Sequence, residues 1–148
     1  MREIKFRAKT IDTGAWVFGS LVKQPTGEFI GSETYIQSNT CKWDKWIVAP
    51  ETVGQYTGLK NSVGTEIYEG DILGGYPHGT AKVCWSDEWG CWETVSIDSE
   101  PVETEVNGAI FTTNSNGLLA NDLIDCSPEW KVIGNVFDNK ELLKVELQ

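Results

Sequence analysis

The sequence predicts a mainly β fold, built as twisted antiparallel sheets or a small SH3-like barrel and finished by a short C-terminal helix. Three observations predict it. Residues 3–10 alternate, with Ile4, Phe6 and Ala8 on one side and Lys5, Arg7 and Lys9 on the other, which is the period of a half-buried antiparallel strand. Gly58, Gly64 and Gly70 each interrupt a short apolar run, and glycine in such places supplies positive φ or a close backbone approach. Residues 80–85 and 91–97 flank Ser86-Asp87-Glu88-Trp89-Gly90, the pattern of two strands joined by a tight hairpin turn.

Taken in order, the first strand passes through Asp12-Thr13-Gly14 into residues 15–22, where Trp16 and Phe18 share a face. Gln24-Pro25-Thr26-Gly27 turns the chain toward Phe29-Ile30, and Tyr35-Ile36 forms a further short strand. Residues 39–46 are polar and irregular and read as a loop with room for one helical turn. Pro50 cannot donate to a ladder and so marks a strand end. Asn61-Ser62-Val63-Gly64 fits a turn whose Asn side chain caps its own backbone and whose Gly relieves the exit. Residues 66–69 then read as a strand, with Gly70-Asp71 as a bulge or corner before Ile72-Leu73.

Residues 74–79 read as a turn-rich loop, and residues 98–107, acidic and broken by Pro101, as an exposed excursion. Residues 109–113 form a brief strand, 118–124 one or two helical turns, and 129–137 a long strand. Asp138 or Asn139 is placed to cap a helix over about residues 140–146, because their side-chain oxygens accept first-turn N–H groups.

The stretch Gln55-Tyr56-Thr57-Gly58-Leu59-Lys60, followed by Gly64-Thr65-Glu66-Ile67-Tyr68-Glu69-Gly70-Asp71-Ile72, resembles the YopX family of phage and prophage proteins. So do Ile4-Lys5-Phe6-Arg7-Ala8, residues 12–19 and Val132-Ile133-Gly134-Asn135-Val136-Phe137. The likeness touches both ends of the chain, which implies one domain over residues 1–148, divisible into an N-terminal β lobe (1–57) and a barrel-like C-terminal lobe (58–148). It further implies a phage or prophage origin and a homo-oligomer, and nothing about chemistry. Residues 74–128 match no pattern of that family.

Composition narrows the function classes. The net charge is −10 over 148 residues, which opposes a non-specific grip on phosphate backbones and makes nucleic acid an unfavoured partner. The charge is unevenly divided: residues 1–60 hold 8 Lys/Arg against 6 Asp/Glu, whereas residues 61–148 hold 4 against 16. An acidic face that meets a basic partner is one consequence of that division, and a merely solubilising surface is the plainer one. With no C-x-x-C pair among Cys41, Cys84, Cys91 and Cys126 and a single His78, a zinc site is not expected. No run of 18 apolar residues occurs, so the expectation is a protein of the host cytoplasm with reduced thiols and no membrane contact.

No catalytic, cofactor or metal residue is assigned. Gly58 and Gly64 are spaced one residue too far for a phosphate loop, and Thr65 stands where its Lys belongs. Glu69 and Asp71 would share a face in a regular strand, but a bulge at Gly70 breaks that alignment and leaves Asp71 to cap its own corner. Gly58, Gly64, Gly70 and Asp71 are therefore read as a structural motif, and His78 as an exposed loop residue. Trp85, Trp89 and Trp92 form the candidate interaction surface, with Trp85 and Trp92 expected in the core and Trp89 at the turn hard to bury within one subunit. The functional expectation is a non-enzymatic protein acting by homo-oligomer assembly or by binding a host or phage protein. The alternative is a single-stranded nucleic-acid binder using Lys5, Arg7, Lys9, Lys42 and Lys45 beside stacked aromatics.

Overall fold

The computed structural model describes residues 1–25, 32–75, 79–97, 102–113, 115–118 and 130–147. The chain divides into two compact units, Met1–Gly58 and Leu59–Gln148.

In the first unit the strands are β1 (Phe6–Lys9), β2 (Trp16–Pro25), β3 (Ser32–Gln37), β4 (Lys45–Ile47) and β5 (Gly54–Lys60), with a single 3₁₀ turn at Pro50–Thr52. They hydrogen-bond in the order β4-β3-β2-β1-β5, and β5 runs on past Gly58 to pair with the short β6 (Glu66–Tyr68). The β1–β2 hairpin follows from Asp12-Thr13-Gly14: Gly14 takes φ 71°, its N–H donates to the Thr10 carbonyl at 3.0 Å, and the Thr13 N–H donates to Asp12 Oδ1 at 2.7 Å. The core of this sheet is Ala8, Ile36 and Val48, packed by Phe6, Val17, Leu21, Trp46 and Val53. Lys9 closes the sheet against the 3₁₀ turn, its N–H donating to Thr52 Oγ1 at 2.9 Å.

The second unit holds β7 (Asp71–Gly75), β8 (Gly79–Ser86), β9 (Cys91–Ser96), β12 (Ser115–Leu118) and β13 (Lys131–Asn135) in the order β12-β9-β8-β7-β13, and a separate hairpin of β10 (Val102–Val106) and β11 (Ala109–Thr113). Its core is Ile67, Leu73, Ala81, Val83, Trp92 and Trp130, with Leu59 and Val132 against it. The cross-strand pairs Leu73↔Ala81 and Val83↔Thr94 carry that core. Asn61 organises the turn into β6: its Oδ1 accepts the N–H groups of Val63 at 3.1 Å and Thr65 at 2.9 Å, and its Nδ2 donates to the Trp130 carbonyl at 3.4 Å.

Several expectations are corrected. The fold is mainly β, but the described sheets are open and form no closed SH3-like barrel; the outer strands β12 and β13 lie at opposite ends of their sheet. Where a short C-terminal helix was expected over about residues 140–146, Lys140–Leu147 winds as 3₁₀ turns. Of the two cap candidates, Asp138 and Asn139, Asn139 turns its Oδ1 to the Asn135 N–H at 3.2 Å. Ile4, assigned to the inner side of the first strand, is 61% exposed, since pairing begins only at Phe6. The acidic stretch before Asn107 is no plain excursion: Val102–Val106 pairs with Ala109–Thr113 through Asn107 and Gly108, at φ 52° and 81°. Asn-Gly is the strongest two-residue hairpin signal, and it outweighs the acidic composition there. Phe29-Ile30, Pro101, Cys126 and most of the 118–124 helical expectation lie outside the described residues, as does His78.

Gly64 sits at φ 85° with nothing within 4 Å of where a Cβ would stand. A substitution there is therefore opposed by backbone conformation alone. Gly64→Val is expected to cost about 1 kcal/mol or more, read as a drop of about 2–4 °C in the thermal midpoint. Gly64→Asn should lose clearly less, because Asn tolerates the left-handed region.

Candidate functional site

Two surfaces emerge from the strand register. The first is the β8–β9 hairpin tip. Trp85 lies opposite Trp92 and Ser86 opposite Cys91, so the four residues Asp87–Gly90 close the loop. Gly90 takes φ 63° and donates its N–H to the Ser86 carbonyl at 2.8 Å, while Ser86 Oγ accepts the Trp89 N–H at 3.2 Å. The tip is thus fixed by its own backbone. Trp92 enters the core at 9% exposure, Trp85 stays 44% exposed, and Trp89 is 73% exposed between Glu88 and Gly90. Trp85 meets the edge of Trp92 with ring centroids 5.0 Å apart and planes at 75°, a favourable edge-to-face geometry. The expectation that Trp85 is a core residue is therefore corrected, since it covers Trp92 from the rim.

On the opposite face of the same hairpin Cys84 pairs with Glu93. Its Sγ stands 3.9 Å from Glu93 Oε1. Burial, and then the Glu93 charge, push the Cys84 thiol above its ordinary pKa, which keeps it protonated and a poor nucleophile. Glu69 adds to that effect, so its carboxylate acts toward Cys84. Asp71 turns elsewhere, its Oδ2 accepting the Tyr68 N–H at 2.8 Å while the residue is 1% exposed. Gly58, Gly64 and Gly70 all take positive φ, at 83°, 85° and 86°.

The second surface is the face of the first sheet turned away from its core. Arg7 lies opposite Phe18 and Lys9 opposite Trp16, so the cations of β1 and the rings of β2 share that face. Lys5 stands 5.0 Å from the Tyr56 ring centroid, Arg7 and Lys9 stand 4.8 and 5.4 Å from that of Trp16, and Lys45 stands 5.0 Å from that of Tyr35. Lys42 lies 4.8 Å over the ring of Trp43 in the β3–β4 connection. These are cation–π distances. Arg7, read from alternation as an outer residue, is in fact 9% exposed, because its long side chain lies over the Trp16 ring and is not extended into water.

Beside this face Thr10, Ile11, Asp12, Lys45, Trp46 and Ile47 line an open groove of about 340 Å³. The Thr10↔Val48 bridge and the Ile11 N–H to Ile47 carbonyl bond at 3.2 Å hold its walls together. Sequence reasoning missed it, since nothing local pairs residues 10–12 with residues 45–48. Asp12 in its lining is held below the usual carboxylate range by the Thr10 hydroxyl and then by the Thr13 N–H. No three His, Cys, Asp or Glu side chains gather as a metal-binding set among the described residues. Likewise no helix among them is long and apolar enough to cross a membrane.

A family model described as YopX protein matches residues 5–144, and so takes in residues 74–128, where sequence reading alone found no likeness to the family. The chain belongs to the YopX family. No curated protein matches it. Among solved structures, this YopX-family chain is similar to protein EF1440 from Enterococcus faecalis, at 23% identity over 97% of this chain and 99% of that one, with a TM-score of 0.49.

Asp71 gives the most direct test of the structural motif. Asp71→Ala leaves the Tyr68 N–H without its acceptor in a buried corner, an expected cost of about 1–3 kcal/mol. A urea titration should show the midpoint fall with an unchanged slope. An unchanged midpoint would mean that the corner does not depend on this carboxylate.

Proposed function

We propose that this YopX-family chain is a non-enzymatic phage or prophage protein that acts in the host cytoplasm by assembling with copies of itself or by binding a host or phage protein. The observation that carries the reading is the Trp89 tip. An indole 73% exposed on a backbone-fixed hairpin leaves a large apolar surface in water, and covering it recovers about 25 cal/mol per Å². Trp is also among the residues that dominate interface energies, and a rigid support lowers the entropic cost of docking it. Asp87 and Glu88 beside it belong to the acidic part of the chain and favour a basic counterpart. The raised pKa of Cys84 and the turning of Asp71 into its own corner fit a role without chemistry for both groups.

A second reading is favoured by one observation, the row of cation–aromatic pairs in the first unit. Rings beside Lys and Arg suit stacked bases and phosphates of a single strand. The net charge of −10 opposes it.

The two readings separate in two measurements. Trp89→Ser should lower the mass in solution, or move it toward monomer as salt rises, while β-type circular dichroism is kept; an unchanged mass removes Trp89 from the account. Fluorescence anisotropy with single-stranded DNA and RNA at low salt should show no binding at micromolar protein. Salt-sensitive binding that Lys9→Glu abolishes would carry the second reading in its place.

A further inference from the structure

We propose that the groove between residues 10–12 and 45–47 is the receptor for the hairpin tip of a second copy of this chain, so that assembly is head to tail. The proposal rests on the reading that the Trp89 tip is an assembly surface and names what it docks into. Three features match. The groove is open and its lining includes exposed apolar side chains: Ile11 is 64% and Ile47 44% exposed, beside Trp46, and its volume of about 340 Å³ is on the scale of a small-ligand cleft. It therefore suits one indole better than a whole helix or strand.

The charges match as well. Lys45 is exposed at the groove, and its ammonium sits over one side of the Tyr35 ring at 5.0 Å. An ammonium has three donors, so that position leaves N–H groups for a carboxylate of Asp87 or Glu88. Asp12 sets the orientation. Held ionised by Thr10 and Thr13, it repels the tip's two acids but accepts a hydrogen bond from the indole N–H, which is a donor only. The indole thus lies toward Asp12 and the acids toward Lys45.

Tip and groove are different surfaces of one chain, so the contact is heterologous, and it gives a closed ring or an open filament according to the rotation it imposes. This arrangement makes a complementation test available. Trp89→Ser spoils the tip and leaves the groove; Lys45→Glu spoils the groove and leaves the tip. Both are exposed positions, and circular dichroism checks that each variant folds.

Sedimentation velocity should show each variant alone shifted toward monomer, with at least tenfold weaker association than wild type. An equimolar mixture should form a dimer, since one intact tip then meets one intact groove and the chain of contacts ends there. If Lys45→Glu keeps the wild-type mass while Trp89→Ser loses it, the groove is not the receptor, although the tip still assembles. If both variants are monomeric and the mixture forms no dimer, tip and groove are not partners and the proposal is overturned. If Trp89→Ser itself keeps the wild-type mass, the reading beneath the proposal fails with it.

Discussion

The second unit depends on a corner of three residues, Glu69-Gly70-Asp71. Gly70 turns at φ 86°, and in that conformation both of its backbone groups are used: its N–H donates to the Val83 carbonyl at 2.9 Å, and its carbonyl accepts the Val136 N–H at 2.9 Å. Asp71 completes the corner by accepting the Tyr68 N–H. One glycine thus ties the β6–β7 connection to β8 and to the chain just beyond β13. A Cβ there would meet Val136 and Phe137 at 3.4 and 3.5 Å, ordinary contact, so the backbone angle is the constraint and not the space. Because side chains alternate with period two, a slip of one residue in β8 would drive Lys82 and Cys84 into the core in place of Ala81 and Val83. The corner pins that register, and with it the aim of the hairpin that β8 and β9 extend.

What could be read from sequence follows from the range of the interactions involved. The Asn61–Gly64 turn, the Gly70-Asp71 corner and the β8–β9 hairpin were legible because their causes are local: an Asx cap, a positive φ, a strand–turn–strand pattern. The mainly β class was legible from the alternation in β1. The open form of the sheets was not, because closure is decided by which strands pair last, and Gly-Asp before an apolar residue fits barrels and open sheets alike. Arg7 shows the same limit in one side chain. Alternation assigned it to the outer face, but contact with the Trp16 ring, set by the β1–β2 register, decides its burial.

The interaction surfaces divide in the same way. Trp89 was legible, since a turn residue has little of its own chain to pack against. The groove was invisible, since its two walls are more than thirty residues apart and meet only through the Thr10↔Val48 bridge. Charge is where the two levels agree. The acidic excess of residues 61–148 reaches the surface beside Trp89, whereas the cations of residues 1–60 gather with aromatic rings on one sheet face and at the groove. A chain so divided carries complementary surfaces on different parts of itself, and that supports self-association more than a grip on a polyanion.

On the proposed reading, this chain associates with itself through contacts in which charge matters. Sedimentation velocity of the unmodified protein, run across protein concentration at low and at high salt, tests it most directly. The expected result is an assembly at low salt whose average mass falls as salt screens the contact over a Debye length of about 10 Å at 0.1 M. A single species at the mass of one chain, 16.5 kDa, at every concentration and salt would contradict it.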